Sequence, residues 1–126
     1  MAYRHLVRPR YGEIDMQHVV FNAHYLAYCD DAADLWFRAI DADLEGGGWD
    51  VMVKKVVVTW SGAARLHDEL AIELTVPRWG DTSFDVRFVG TVAEAPIFEA
   101  DITYVAVRTG TTQTRRVPDS FRAAAS

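Results

Sequence analysis

The sequence holds a single cysteine, Cys29, so no disulfide can close within the chain and nothing points to an oxidising compartment. It has no long apolar run. None approaches the roughly 20 residues needed to span a bilayer, and the opening stretch MAYRHLVRPRYGE lacks the apolar core of a signal peptide. The expected location is therefore the cytoplasm, with no membrane partner. Basic residues are few: 13 Lys and Arg stand against 18 Asp and Glu, for a formal net charge of −5. They cluster only at Lys54-Lys55 and Arg115-Arg116. A phosphate-neutralising surface needs more than that, so nucleic acid is not an expected partner. A local basic rim can still steer an anionic substrate. Internal repeats, linkers and low-complexity segments are missing too.

What is present fits one domain of 126 residues. Half the residues are hydrophobic, and four Trp, five Tyr and six Phe supply bulk for a core or a pocket wall. Residues 3–11, YRHLVRPRY, read as a first strand; Pro9 lacks an N–H, which places that strand at an edge or bends it. Asn22 suits an N-cap. From there Leu26, Cys29, Ala33, Trp36 and Ile40 recur at spacings of three and four, one buried face of a long helix. Asp30, Asp31, Asp34 and Arg38 fall largely on the other side, and glycines 46–48 end the segment.

The rest alternates with period two. DVMVKKVVVTW (50–60), LAIELTV (70–76), SFDVRFVGTV (83–92) and IFEADITYVAV (97–107) read as strands. Gly80-Asp81 and Glu94-Ala95-Pro96 mark hairpin turns. The tail reads as a short last strand or a frayed end. One helix cannot cover both faces of such a sheet. The fold class is α+β: a curved antiparallel sheet of about five strands wrapped around one long central helix. A remaining sheet face or edge strand then needs a partner, which predicts a homodimer.

The stretch EIDMQHVVFNAHYLAYCDDAADLWF, residues 13–37, sets Asp15 just before an apolar run. A carboxylate loses free energy when it loses water, so Asp15 is either a turn residue facing outward or a group in use. His18 stands three residues on, as an orienting group, a proton donor, or a solvent-facing loop residue. Glu13 competes with Asp15 and shares its face if strand alternation continues. Asp15, His18 and His24 match no metal-ligand spacing, so no metal is expected. Cys29 reads as a core thiol.

These residues carry a resemblance. The run from Arg10 to Ala33 resembles the hotdog-fold acyl-CoA thioesterases of the 4-hydroxybenzoyl-CoA thioesterase type. Asp15, then Val19-Val20-Phe21, Asn22, Ala23 and Tyr25-Leu26 follow that family's pattern. RLHDELAIELTV, with Asp68, Leu70 and Ile72, resembles its later strand entry. WGDTSFDVRFVG and the Val-Pro of VPDSFR also look similar, so the likeness covers nearly the whole chain. The chain departs from the family at Gln17 and His18, where glycine is frequent, and at Asn22, where His or Tyr is frequent.

The resemblance implies hydrolysis of an acyl-CoA thioester without a cofactor. Asp15 would be general base or nucleophile, and the helix N-terminus near Asn22 would polarise the carbonyl. His18 would assist. Val20, Phe21, Ala23 and Tyr25 would contact substrate in an apolar tunnel at a subunit interface. Arg65, Arg78, Lys54 and Lys55 would meet the coenzyme A phosphates, with Trp60 or Trp79 near the adenine. A dimer or a dimer of dimers is implied. In some relatives the acid lies on the helix, which makes Asp30, Asp31 or Asp34 the candidates. The alternatives are a hotdog 3-hydroxyacyl-thioester dehydratase with an Asp-His pair, or a non-catalytic acyl-binding module.

Overall fold

A computed structural model describes residues 2–41, 44 and 46–126. Its elements in chain order are β1 (Tyr3–Val7), a 3-10 turn (Tyr11–Glu13), α1 (Asn22–Ile40), β2 (Trp49–Trp60), β3 (Leu70–Trp79), β4 (Ser83–Val92), β5 (Ala95–Arg108) and α2 (Asp119–Ala125). The five strands form one antiparallel sheet in the order β1-β3-β4-β5-β2. This is the hotdog arrangement that the sequence implied, with α1 against the concave face.

The core lies between α1 and the sheet. Tyr25, Tyr28, Cys29, Ala32, Ala33, Trp36 and Phe37 are the buried residues of α1. They meet Ile72 and Leu74 of β3, Phe84, Val86 and Phe88 of β4, and Phe98, Ala100, Ile102, Tyr104 and Ala106 of β5. β4, most of β5 and the first half of β3 bury every second residue, as period-two alternation requires, whereas β1 has no fully buried residue and β2 buries only Trp49. Leu26 departs from the expected helix face: it is 39% exposed, on the side of α1 that turns toward β2. The helix also stops at Ile40, six residues before the first of the glycines. Pro9 ends the strand instead of bending it, so β1 is shorter than residues 3–11 and lies at an edge.

The tail is neither strand nor frayed end. Pro118 caps α2, and Val117, Phe121 and Ala125 are buried. Phe121 stands 5.2 Å from Phe37, 5.0 Å from Trp49 and 5.4 Å from Phe84, ring to ring. The helix thus plugs the end of the core farthest from the start of α1.

The convex face of the sheet carries polar side chains that pair across the strands. Arg78 pairs with Asp85 at 2.7 Å, the Thr103 hydroxyl donates to Asp85 at 2.7 Å, and Arg87 pairs with Asp101 at 3.1 Å. Exposed apolar side chains stand on both edge strands: Leu6 of β1 is 52% exposed, and Met52, Val53, Val57 and Trp60 of β2 are 43–50% exposed.

The turn between β4 and β5 is Ala93-Glu94, both at positive φ (47° and 69°), and Ala95-Pro96 already belongs to β5. Beside it Gly90 faces Phe98 across the strands; a Cβ there would lie 2.1 Å from Phe98 Cε1. Gly90→Ala is expected to destabilise by about 1–3 kcal/mol through overpacking. Urea unfolding checks this, and adding Phe98→Leu should recover part of the loss.

Candidate active site

The segment from Arg10 to Phe21 leaves β1, makes a tight loop and returns to start α1. Backbone bonds fix it: Glu13 N–H to Arg10 O at 2.9 Å, Asp15 N–H to Val19 O at 2.9 Å, His18 N–H to Asp15 O at 3.0 Å, and Phe21 N–H to Glu13 O at 2.9 Å. His18 takes the left-handed conformation at φ 63°, which closes the turn. Val20 N–H donates to Ala64 O at 2.9 Å, docking the return strand on the β2–β3 connection.

Asp15 is half-buried. Its Oδ1 accepts the Gln17 N–H at 2.8 Å and, at 3.5 Å, the Val19 N–H. One oxygen therefore builds the loop, as a turn aspartate does. Oδ2 has no hydrogen-bond or ion-pair partner among the described residues. Asp15 opens on a cleft of about 440 Å³ lined by Tyr11, Ile14, His18, Arg65 and Leu66. Arg65 reaches over the loop, with Nη1 3.5 Å from His18 O, and its N–H is held by Asp68 Oδ2 at 2.8 Å. So Asp15, His18 and Arg65 share one cleft.

Asn22 is not the N-cap. Phe21 is, with no side-chain cap bond, and Asn22 is the first helical residue. Phe21 takes that place because its N–H is already spent on Glu13 O, which holds it extended. The N–H groups of Asn22 and Ala23 have no partner among the described residues, as the first turn of a helix requires. They carry the positive end of the α1 dipole. Asn22, Ala23 and Phe21 are exposed, and none of them lines the Asp15 cleft. Acid and helix start are joined by the short return strand but do not wall one cavity within a single chain.

Val20 and Tyr25 are core residues, 1% and 2% exposed. The Tyr25 hydroxyl accepts the Ala64 N–H at 3.0 Å, and its ring meets Trp60 at 5.9 Å and Phe98 at 5.2 Å. Burial pushes the Tyr25 phenol up. Trp60 stands half-open at the end of β2, beside the helix start. Arg78 is elsewhere, at the far end of β3, roughly 26 Å of strand from Leu70 at 3.3 Å per residue. Its guanidinium, bonded to Asp85, holds that carboxyl below the usual range. Lys54 sits at the β2 irregularity between Val53 and Lys55, on the free edge.

Glu13 and Asp15 do not share a face, because the 3-10 turn breaks the alternation. Glu13 faces a separate cleft with His5, Arg8, Arg10, Tyr28 and Asp31. Burial raises the Glu13 pKa, but the Arg10 N–H, the Tyr28 hydroxyl and the nearby His24 and Arg10 charges outweigh it, so the net shift is downward. Glu13 thus favours the folded state above the ordinary glutamate range. That contribution is lost as pH falls through its lowered folded value. Asp30 and Asp34 line a third cleft, of about 350 Å³, with Asp50 and Tyr104; the Tyr104 hydroxyl donates to Asp30 Oδ1 at 3.2 Å. Cys29 is buried, and its thiol is pushed up to about 12 by burial and the Asp30 charge.

Tyr11, Ile14 and Leu66 were not legible as cleft residues.

A family model described as the thioesterase-like superfamily matches residues 9–125. The chain belongs to that superfamily, and its class is thioester hydrolase. Among solved structures it is similar to an Asp-to-Asn variant of 4-hydroxybenzoyl-CoA thioesterase complexed with 4-hydroxybenzoyl-CoA. That pair has 17% identity and a TM-score of 0.88, with 99% of each chain covered. It is also similar to a 1,4-dihydroxy-2-naphthoyl-CoA thioesterase from Synechocystis: 15% identity, TM-score 0.84, covering 98% of this chain and 95% of that one. A thioesterase-superfamily protein from Jannaschia sp. CCS1 gives 19% identity and a TM-score of 0.91, over 98% and 90%. No curated protein matches the chain. Among the described residues, no helix is long and apolar enough to cross a membrane.

Proposed function

We propose that this chain hydrolyses an acyl-CoA thioester to a free acid and coenzyme A, with Asp15 as general base or nucleophile. One observation carries the reading: Asp15 lines a cleft and holds its loop with Oδ1, while Oδ2 has no partner among the described residues. Such an oxygen can take a proton from water or attack the thioester carbon directly. The carbonyl oxygen gains negative charge as the nucleophile adds to the thioester carbon, and gives it up when the tetrahedral intermediate collapses and the C–S bond breaks to release the thiolate. The free Asn22 and Ala23 N–H groups are suited to receive it; losing one such donor typically costs about 3 kcal/mol of barrier. His18 and Arg65 line the same cleft, and on this reading they would serve the leaving thiolate and an anionic group of the coenzyme. Structural relatives whose names include acyl-CoA thioesterases support this substrate class.

The interior between α1 and the sheet is filled by side chains 0–1% exposed, including Trp36, Phe37, Phe84, Phe98 and Phe121. The acyl group is therefore assigned to surface clefts rather than to a tunnel under the helix. A second copy would supply the missing wall. Its β2 edge would cover Met52, Val57 and Trp60, and Trp60 adjoins the helix start through Tyr25. Val57→Lys should shift the species in solution from a multiple of the 14.2 kDa chain mass to that mass itself. Light scattering reads this; a wild type already monomeric at micromolar concentration contradicts it.

Thiol release from a panel of acyl-CoAs tests the function. Release by wild type above the rate of Asp15→Ala supports hydrolysis. Equal background rates on every substrate leave only an acyl-binding module. The pairing of Asp15 with His18 in one cleft also keeps the dehydratase chemistry in view. Optical change on adding water to an enoyl-CoA, without thiol release, would select it.

A further inference from the structure

We propose that Tyr28 is a positioning residue for Asp15, acting through Glu13; the inference rests on the hydrolase reading above. Tyr28 lies on the second turn of α1 and is 7% exposed. Its hydroxyl donates to Glu13 Oε1 at 2.7 Å, and the same oxygen accepts the Arg10 N–H at 2.8 Å. The Glu13 carbonyl accepts the N–H of Phe21, the N-cap of α1, at 2.9 Å. One residue is thus tied to the start of the 3-10 turn, to the entry of the helix and to the helix body. Ile14 follows and bridges Val20, and then comes Asp15. Any swing of the Asp15 backbone away from the return strand must break one of these ties. A hydrogen bond onto an ionised carboxylate is about twice as strong as a neutral one. The Tyr28–Glu13 bond is also the part of the clamp that reaches the rigid rod of the fold.

The arrangement also separates Glu13 from the chemistry. Its Oε1 is committed to two donors, and it faces the β1–α1 cleft rather than the cleft of Asp15. The charged groups around it are Arg10 on the turn, His24 on α1, and His5, Arg8 and Asp31 across the cleft.

Tyr28→Phe keeps the ring, which packs edge-on against Tyr25 at 6.2 Å, and removes only the hydroxyl. It should lower kcat roughly ten- to hundred-fold with KM nearly unchanged, the scale of a slightly misplaced catalytic group. Glu13→Ala should do the same. Glu13→Gln, whose amide oxygen can accept both donors, should keep most of the activity. Backbone amide exchange at Gln17, Val19 and Phe21 should speed up in Tyr28→Phe and stay slow in Glu13→Gln. Wild-type kcat in Tyr28→Phe, or unchanged exchange, overturns the proposal. So does loss of all activity in Glu13→Gln, which would make Glu13 the proton acceptor. If wild type releases no thiol from any acyl-CoA, the hydrolase reading fails. The positioning of Asp15 for hydrolysis falls with it, while the exchange data still decide whether the latch exists.

Discussion

Asp15→Asn should lower kcat for thiol release by a factor of roughly 10² to 10⁴, the range for loss of a positioned acid or base. The fold around it should be undisturbed. Asparagine presents an oxygen in the place of Oδ1, which can still accept the Gln17 N–H seen at 2.8 Å in the parent chain. The loop is kept while the free carboxylate oxygen is replaced by an amide nitrogen that neither takes a proton nor attacks carbon. KM should move little, because the clefts and the helix N–H groups are untouched. Asp15→Ala should behave worse than Asp15→Asn in thermal unfolding, since it removes the loop bond as well. Steady-state kinetics on one competent acyl-CoA, beside a thermal melt of both variants, separates the catalytic share from the structural one. A kcat within a few-fold of wild type in Asp15→Asn would assign Asp15 to the turn alone.

Phe121→Ala should cost about 3–5 kcal/mol, as truncation of a buried Phe does. That is a large part of the 5–15 kcal/mol that holds a domain of this kind together. The ring fills the space between Phe37, Trp49, Trp79 and Phe84, so its removal leaves a cavity walled by stiff aromatic rings that collapse poorly. Helix α2 is held besides by buried Val117 and Ala125, by the Arg116–Asp119 ion pair, by Arg122, which donates to Gly80 O and Asp81 O and lies 5.7 Å over Trp79, and by Val117 N–H donating to Asp81 O. Urea unfolding measures the loss. Activity at low temperature should stay near wild type. Phe37, which Phe121 touches, is fifteen residues along α1 from Asn22, or roughly 22 Å at 1.5 Å per residue. A loss below about 1 kcal/mol would mean that α2 does not close the core.

Much of this was legible in the sequence for a physical reason. Periodicity reports burial, so α1 and β3 to β5 could be read from their apolar spacing, and the β3–β4 and β4–β5 pairings followed from short turns; the pairing of β1 with β3 and of β2 with β5 joins strands distant in sequence and left no such signal. The errors fall where another force decides. Leu26 has the right spacing for the core stripe but lies at its margin, toward an edge that one chain leaves open. Asn22 has the right chemistry for a cap, yet Glu13 O takes the Phe21 N–H and moves the helix start back by one residue. The seven residues of α2 are too few to show a period. Their signal was the alanine run after Pro118, a composition that favours helix once Phe121 finds a core to enter. In the candidate site, Asp15 could be singled out from its place before an apolar run, but that place fitted a turn residue as well, and only the resemblance gave it the role of the acid. Its division into a loop-building oxygen and a free one could not be read, because it depends on the Gln17 N–H in a turn closed by left-handed His18. Nor could the parting of Glu13 from Asp15, since a 3-10 turn of three residues leaves no pattern.

The most direct measurement is a crystal structure of the Asp15→Asn variant with an intact acyl-CoA bound. The thioester carbon should lie within about 3.5 Å of the substituted side chain, the distance of a near-attack arrangement. Its oxygen should point at the Asn22 and Ala23 N–H groups, with Trp60 of one chain or the other against the ligand. A thioester seated instead between Asp30, Asp34 and Tyr104, with nothing beside residue 15, would contradict the assignment of Asp15 as the reacting carboxylate.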